Sequence, residues 1–164
     1  MSHTRRILAI DPGYGRMGIA VLERIDGHDS LLFSECFETQ KESSGPNRLL
    51  EIRHRIRELI EHYRPSALAI ESLFFGKNKK TALAVAESRG IVLSEAAAHQ
   101  LEIFEYKPVH VKIAITGHGG SDKRQVQSMV ERILRLDKKD SLDDEYDAIA
   151  VGLTHLATSP TTGP

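Results

Sequence analysis

Residues 6–15 read RILAIDPGYG. One arginine precedes four uninterrupted apolar residues, Ile7 to Ile10, and an acid, a proline and a glycine follow them. A short run without polar alternation suits a strand covered on both faces, as in an α/β sheet. Asp11-Pro12-Gly13 then ends it in a turn. Residues 67–71 repeat the pattern as ALAIE, four apolar residues closed by Glu71. Two buried strands that each finish on a carboxylate decide how the rest of the chain is read.

Outward from the first strand, Met17–Leu22 is predicted as a second strand, Asp26-Gly27 as a hairpin turn and Ser30–Glu38 as a third strand. Two hairpins make these three antiparallel. Between Asn47 and Tyr63, the residues Leu49, Ile52, Ile56, Leu59, Ile60 and Tyr63 recur at helical spacing, and Pro65 closes the helix. A helix between the third and fourth strands is a crossover, so those two point the same way, and the first points with them. Asp11 and Glu71 then lie at the carboxyl ends of parallel strands, where open α/β sheets place their active sites. That placement requires the first and fourth strands to be neighbours.

A loop over 73–78 leads into an alanine-rich helix over Thr81–Gln100 that contains Gly90. Its small residues suit a core helix and a close-packed or dimer face equally. A fifth strand over Leu101–Tyr106, a short helix from Pro108 to near Gly117, a helix over Lys123–Leu136 and a last helix from Asp143 or Asp144 to about Ala157 complete the reading. The fold class is α/β, a mixed five-stranded sheet flanked by helices. Residues 1–158 form one domain and 159–164 a disordered Pro/Thr/Gly tail.

With 164 residues and a net charge of −1, the chain carries no bulk signature of a nucleic-acid partner. The distribution of charge says more. Lys77, Lys79 and Lys80 form one basic run, and Lys107, Lys112, Lys123 and Arg124 are opposed in their stretch only by Asp122, while 140–147 is acidic. Each run alone is a solvated face; together they describe a protein able to hold a polyanion and a metal. Cys36 is the sole cysteine, which excludes an internal disulfide and a thiolate zinc cluster. The polar Met1–Arg6 segment is no signal peptide, and no apolar run approaches the ~20 residues of a membrane span. The expected location is the cytoplasm, with no membrane partner.

Asp144 and Asp147 stand three apart at a helix start and share one face, which Ala148 and Val151 continue toward the interior. Two carboxylates aimed at a core require a cation. N-terminal capping accounts for Asp143 or Asp144 but not for Asp147, which directly precedes the apolar run. We pair Asp144 with Asp147 and give Asp143 the capping position. Hard oxygen ligands without a cysteine or histidine cluster select Mg²⁺ or Mn²⁺. Two such ions ~4 Å apart suit phosphodiester hydrolysis. His118 and His155 are read as surface or satisfied core residues.

The segments ILAIDPG (7–13), AIESLFFGKN (69–78), VKIAITGHGGSDKRQVQ (111–127) and DDEYDAIAVGLTH (143–155) closely resemble the RuvC family of crossover-junction endodeoxyribonucleases, in order and spacing, over nearly the whole chain. The resemblance implies a ribonuclease H-like fold, a homodimer, and resolution of Holliday junctions, four-way DNA, by paired symmetric nicks in recombination and repair. It implies Asp11, Glu71, Asp144 and Asp147 as the catalytic and metal-binding tetrad, with two Mg²⁺ per site and Mn²⁺ as a substitute. It matches Phe74 to a residue that contacts bases, and Lys112 and Lys123 to phosphate-holding residues; Lys77 and Arg124 join them as DNA-binding candidates. It implies RuvA and RuvB as partners. The first motif departs from the family at Tyr14, Met17, Ile19 and Ala20, where a small hydroxyl residue and then Thr-Gly-aromatic-Gly are more frequent. The alternative is a ribonuclease H-like nuclease of structured RNA, which shares the D-x-G-x-x-x-x-G-I-A opening; the FFGKNKK and SDKRQVQ segments favour DNA. An actin-like ATP-binding protein would need two such domains, and a silent scaffold would not keep four acids.

Overall fold

The computed structural model describes residues 4–73, 79–137 and 143–159. Phe74 and Lys77, two of the DNA-binding candidates, lie outside them, as does the tail from residue 160. The elements are β1 (Thr4–Asp11), β2 (Arg16–Ile25), β3 (His28–Glu38), α1 (Gly45–Tyr63), β4 (Ala67–Glu71), α2 (Lys79–Ala98), β5 (Glu102–Tyr106), α3 (Pro108–Thr116), α4 (Lys123–Leu134) and α5 (Asp143–Thr158). The strands form one mixed sheet in the order β3-β2-β1-β4-β5. β1 pairs antiparallel with β2 and parallel with β4, so the neighbour relation required above holds.

Side-chain alternation divides the central strands between two layers. Leu8 and Ile10 of β1 and Leu68 and Ile70 of β4 join Ile52, Ile56 and Leu59 of α1 and Val92 and Ala96 of α2 on one face. Ile7, Ala9, Ala67 and Ala69 face the other layer, built from α3, α4 and α5. The residues on this second face are mostly small, and α5 lies very close. A Cβ at Gly152 would sit 3.1 Å from Ala9 Cβ and 2.4 Å from Leu22 Cδ1. α5 is accordingly the central helix of its layer, buried along most of its length.

Local chemistry sets the element ends. Asp26 (φ 49°) and Gly27 (φ 84°) both take the left-handed region, as a two-residue hairpin turn demands, and β2 and β3 therefore run longer than Leu22 and Ser30 suggest. α4 stops at Leu134 instead of Leu136 because Arg135 turns left-handed (φ 52°) and the chain folds back, with Leu136 N donating to Glu131 O. α1 is joined to α2 by a buried acid. Glu95, 3% exposed, receives Arg57 Nε at 2.6 Å and Arg53 Nε at 3.1 Å. No helix of the described residues is long and apolar enough to cross a membrane.

His155 is a core residue in the last turns of α5, 2% exposed. Its Nδ1 lies 2.8 Å from the Tyr106 hydroxyl and its ring 4.6 Å from that of Phe104. Ser159, expected to begin the tail, is held to it, its N–H donating to His155 O. Burial, reinforced by Arg5, drives the imidazole pKa down from 6.5 to about 4. The unfolded chain therefore takes up this proton first as pH falls. The contribution is intact above pH 6.5 and is lost between there and about pH 4, up to about 3 kcal/mol. Urea titrations across pH 4–7 should show wild type losing more stability with acidity than His155→Asn does, because the raised carboxyls of Asp11 and Glu71 act with the opposite sign in both proteins and cancel in the difference. Equal loss in the two proteins would refute the assignment.

Candidate metal centre

The β1–β4 register pairs Ile10 with Ile70, so Asp11 and Glu71 stand side by side at one sheet edge. Alternation fixes their direction. Ile7 and Ala9 of β1 face α5, as do Ala67 and Ala69 of β4, and Asp11 and Glu71 are next in those series. Their carboxyls are in hydrogen-bond contact. The first turn of α5 closes the pocket from above. Oxygens of Asp11, Asp144 and Asp147 all lie within 4.8 Å of one another. Asp143 opens the helix and is exposed, outside this group.

Two strands hold the start of α5 in place. Gly18 is the β2 partner of Asp11, and a Cβ there would lie 1.9 Å from the Asp144 carbonyl oxygen. From β3, the Ser34 hydroxyl donates to Glu145 and the Cys36 thiol reaches Asp144 Oδ2 at 3.6 Å. Cations approach from the rim. Arg16 Nη2 is 2.7 Å from Asp144 Oδ2, with its Nε 3.4 Å from Cys36 Sγ. Lys123 Nζ is 3.1 Å from Asp147 Oδ2. Lys112, half-buried, and Lys123 act electrostatically on Glu71, and Arg124 is exposed beside Lys123.

Sequence reasoning did not single out Arg16 or place Cys36 at a site. Arg16 occupies an unspecified position of the first motif and Cys36 lies outside the motifs; they meet Asp144 only because β2 and β3 lie beside α5. The strand order was the missing information.

These cations do not neutralise the pocket. Burial, then the neighbouring Glu71, pushes the Asp11 carboxyl up to about 9. Burial also raises Glu71, with Asp147 adding and the Asp11 contact, Lys123 and Lys112 opposing. Carboxylates desolvated and crowded to this degree fit a hard divalent cation, since only a multivalent charge lets all of them ionise together.

Comparisons agree with this architecture. The family model for crossover junction endodeoxyribonuclease RuvC matches residues 7–155. The chain is 46% identical over 155 residues to the RuvC crossover junction endodeoxyribonuclease of Roseiflexus sp. (strain RS-1), covering 94% of this chain and 92% of that protein. It is 42% identical over 156 residues to that of Chloroflexus aurantiacus, with 95% of both covered. The structure of Thermus thermophilus RuvC in complex with a Holliday junction substrate superposes with a TM-score of 0.88 at 32% identity, covering 93% of each chain.

Two variants test the geometry. Gly18→Ala must displace the Asp144 backbone, and a shift near 1 Å is expected to lower cleavage by about 10²-fold in a protein that still folds. Full activity would mean that α5 can yield at no cost. Asp11→Asn removes one ligand and a carboxyl that folding must either hold protonated or charge against its neighbours. In EDTA at pH 8 its melting temperature should exceed wild type, by about 2–4 °C per kcal/mol of repulsion relieved. It should also lose the stabilisation that Mg²⁺ or Mn²⁺ confers on wild type. A lower melting temperature in EDTA would contradict the crowding argument.

Proposed function

The chain belongs to the RuvC family of crossover junction endodeoxyribonucleases, and from that membership we propose how its own residues perform the reaction. The protein is a structure-selective endonuclease that resolves Holliday junctions by phosphodiester hydrolysis. The alternative RNA substrate is not favoured, because the likeness to junction endonucleases runs over residues 7–155. The observation that carries the catalytic assignment is the meeting of Asp11, Asp144 and Asp147 within 4.8 Å, with Glu71 against Asp11.

In this reading Asp11, Glu71, Asp144 and Asp147 are the catalytic and metal-binding residues. They would hold Mg²⁺, two ions per site with Mn²⁺ as a substitute, which when bound would supply Lewis-acid stabilisation and water activation. The protein's part is to fix four oxygen donors on rigid elements. Asp11 and Glu71 are held by adjacent parallel strands, and Asp144 and Asp147 by one helix turn. Lys123 and Lys112 hold the phosphate beside the centre as point charges. Arg124 extends that grip outward. Phe74 follows Glu71 by three residues, so a base stacked on its ring would be coupled to the position of the scissile phosphate. Such stacking is worth ~1–3 kcal/mol and tolerates any base. Lys77, three residues beyond Phe74 in the sequence, adds a phosphate contact.

A homodimer delivers the paired nicks. Support comes from α2, which leaves Leu83 65% exposed and has open space over Gly90. RuvA and RuvB as partners, and a cytoplasmic location, belong to the same proposal.

Asp11→Asn, Glu71→Gln, Asp144→Asn and Asp147→Asn should each lower cleavage of a four-way junction by about 10²–10³-fold or more while junction binding survives. Asp143→Asn should cleave almost normally. A dead Asp143→Asn beside an active Asp144→Asn would reverse the register. Phe74→Ala is expected to keep its melting temperature, to cleave intact junctions poorly and to recover on junctions whose centre is already unpaired. Equal loss on both substrates would remove the stacking role.

A further inference from the structure

Among the described residues Arg6, Arg16, Arg24, Arg53, Arg55, Arg57 and Arg89 each hold a carboxylate. Arg124 and Arg132, both exposed on α4, have no ion-pair or hydrogen-bond partner among the described residues, and neither has the Ser128 hydroxyl between them. The three are spaced four residues apart, on one stripe of the helix about 12 Å long. That stripe is one wall of a groove of about 500 Å³, lined also by Thr116 at the end of α3 and by His118, Ser121 and Asp122 of the α3–α4 connection.

The groove has a defined start. α4 begins at Lys123, which touches Asp147 of the metal centre, and the stripe departs from there along the helix. Its inner wall is rigid. Thr116 and Ser121 hydroxyls are 2.6 Å apart, and the Asp122 carboxylate is committed to capping α4 through Gln125 N at 2.9 Å. The cations and the Ser128 hydroxyl are open to a ligand, and of the Asp122 carboxylate one oxygen is taken by the cap. A solvated helix face is the plain alternative, and for Arg132, in the last turn, the helix dipole alone would justify a cation. Arg124 is different. It sits in the first turn, which contains no acid, where the dipole opposes positive charge. A cation kept there without a carboxylate points to an external anion.

We propose that this groove is a phosphodiester track that holds the DNA backbone running on from the scissile phosphate, with Arg124, Ser128 and Arg132 as successive contacts. A 12 Å stripe matches the rise of about three to four phosphates of one strand. Guanidinium forks suit phosphate oxygens, and the contacts carry no base information. The inference rests on the junction-nuclease reading and extends it from the cut site to the arm that leaves it.

The test is junction binding in EDTA, which prevents cleavage, across a range of salt. Arg124→Gln and Arg132→Gln, with melting temperatures checked against wild type, should each weaken binding by about tenfold and reduce the salt slope by about one. Neutral methylphosphonates placed singly at four positions on each side of the nick should weaken wild-type binding on one side, and the double variant should be insensitive on that side. Wild-type affinity and slope in both single variants would overturn the track. So would equal methylphosphonate sensitivity of wild type and double variant. If wild type fails to cut four-way junctions with Mg²⁺, the resolvase reading fails instead, and that outcome is independent of the binding slopes.

Discussion

The fold is organised around carboxylates that repel one another. Asp11, Glu71, Asp144 and Asp147 meet at one edge of the sheet, and burial with crowding drives Asp11 to about 9. Flexible segments would swing such groups apart into water. Each acid is instead carried by an element that cannot retreat, two on hydrogen-bonded parallel strands and two on the first turn of a buried helix. The strain is held by packing elsewhere, because the central strands are covered on both faces.

The closeness of α5 to the sheet follows from an asymmetry between those faces. Toward α1 and α2 the strands present Leu8, Ile10, Ile19, Leu68 and Ile70; toward α5 they present Ala9, Ala20, Ala67 and Ala69 beside Ile7 and Leu22, with Gly18 against the Asp144 carbonyl. Much of the centre was legible because period-2 alternation aims Asp11 and Glu71 to one side and a spacing of three aligns Asp144 with Asp147. The adjacency of β1 and β4 was not legible, since a crossover fixes direction but not neighbours. Arg16 and Cys36 were hidden for the same reason, their contact with Asp144 spanning elements far apart in the chain. Element ends moved where single residues turned left-handed, as at Arg135.

Net charge misleads for a related reason. A sum of −1 combines cations spent on internal carboxylates with cations that are free. Arg53 and Arg57 close on the buried Glu95 and serve the α1–α2 layer. Of the unpaired arginines on α4, Arg124 directly follows Lys123, which touches Asp147 of the acidic cluster. Only the pairing pattern separates structural positive charge from charge available to a polyanion, and pairing is a property of the folded chain.

The departures in the first motif can be placed on the same frame. Met17 and Ile19 are buried on the α1–α2 side, the face opposite the acids, where they add apolar volume and touch no carboxylate. Ala20 falls on the α5 side but preserves the small surface that this helix needs. Tyr14 acts outside the sheet. Its ring lies 4.1 Å under the Arg48 guanidinium, its carbonyl accepts from the Thr39 hydroxyl, and Arg48 Nε donates to that same hydroxyl at 2.8 Å. The β1–β2 turn is thereby tied to the start of α1. Arg16, two residues further on, leaves that anchored turn to reach Asp144. Of the unusual residues, Tyr14 braces the turn from which Arg16 leaves, while the strand ends that carry Asp11 and Glu71 keep their register because the pairing of Ile10 with Ile70 does not involve them.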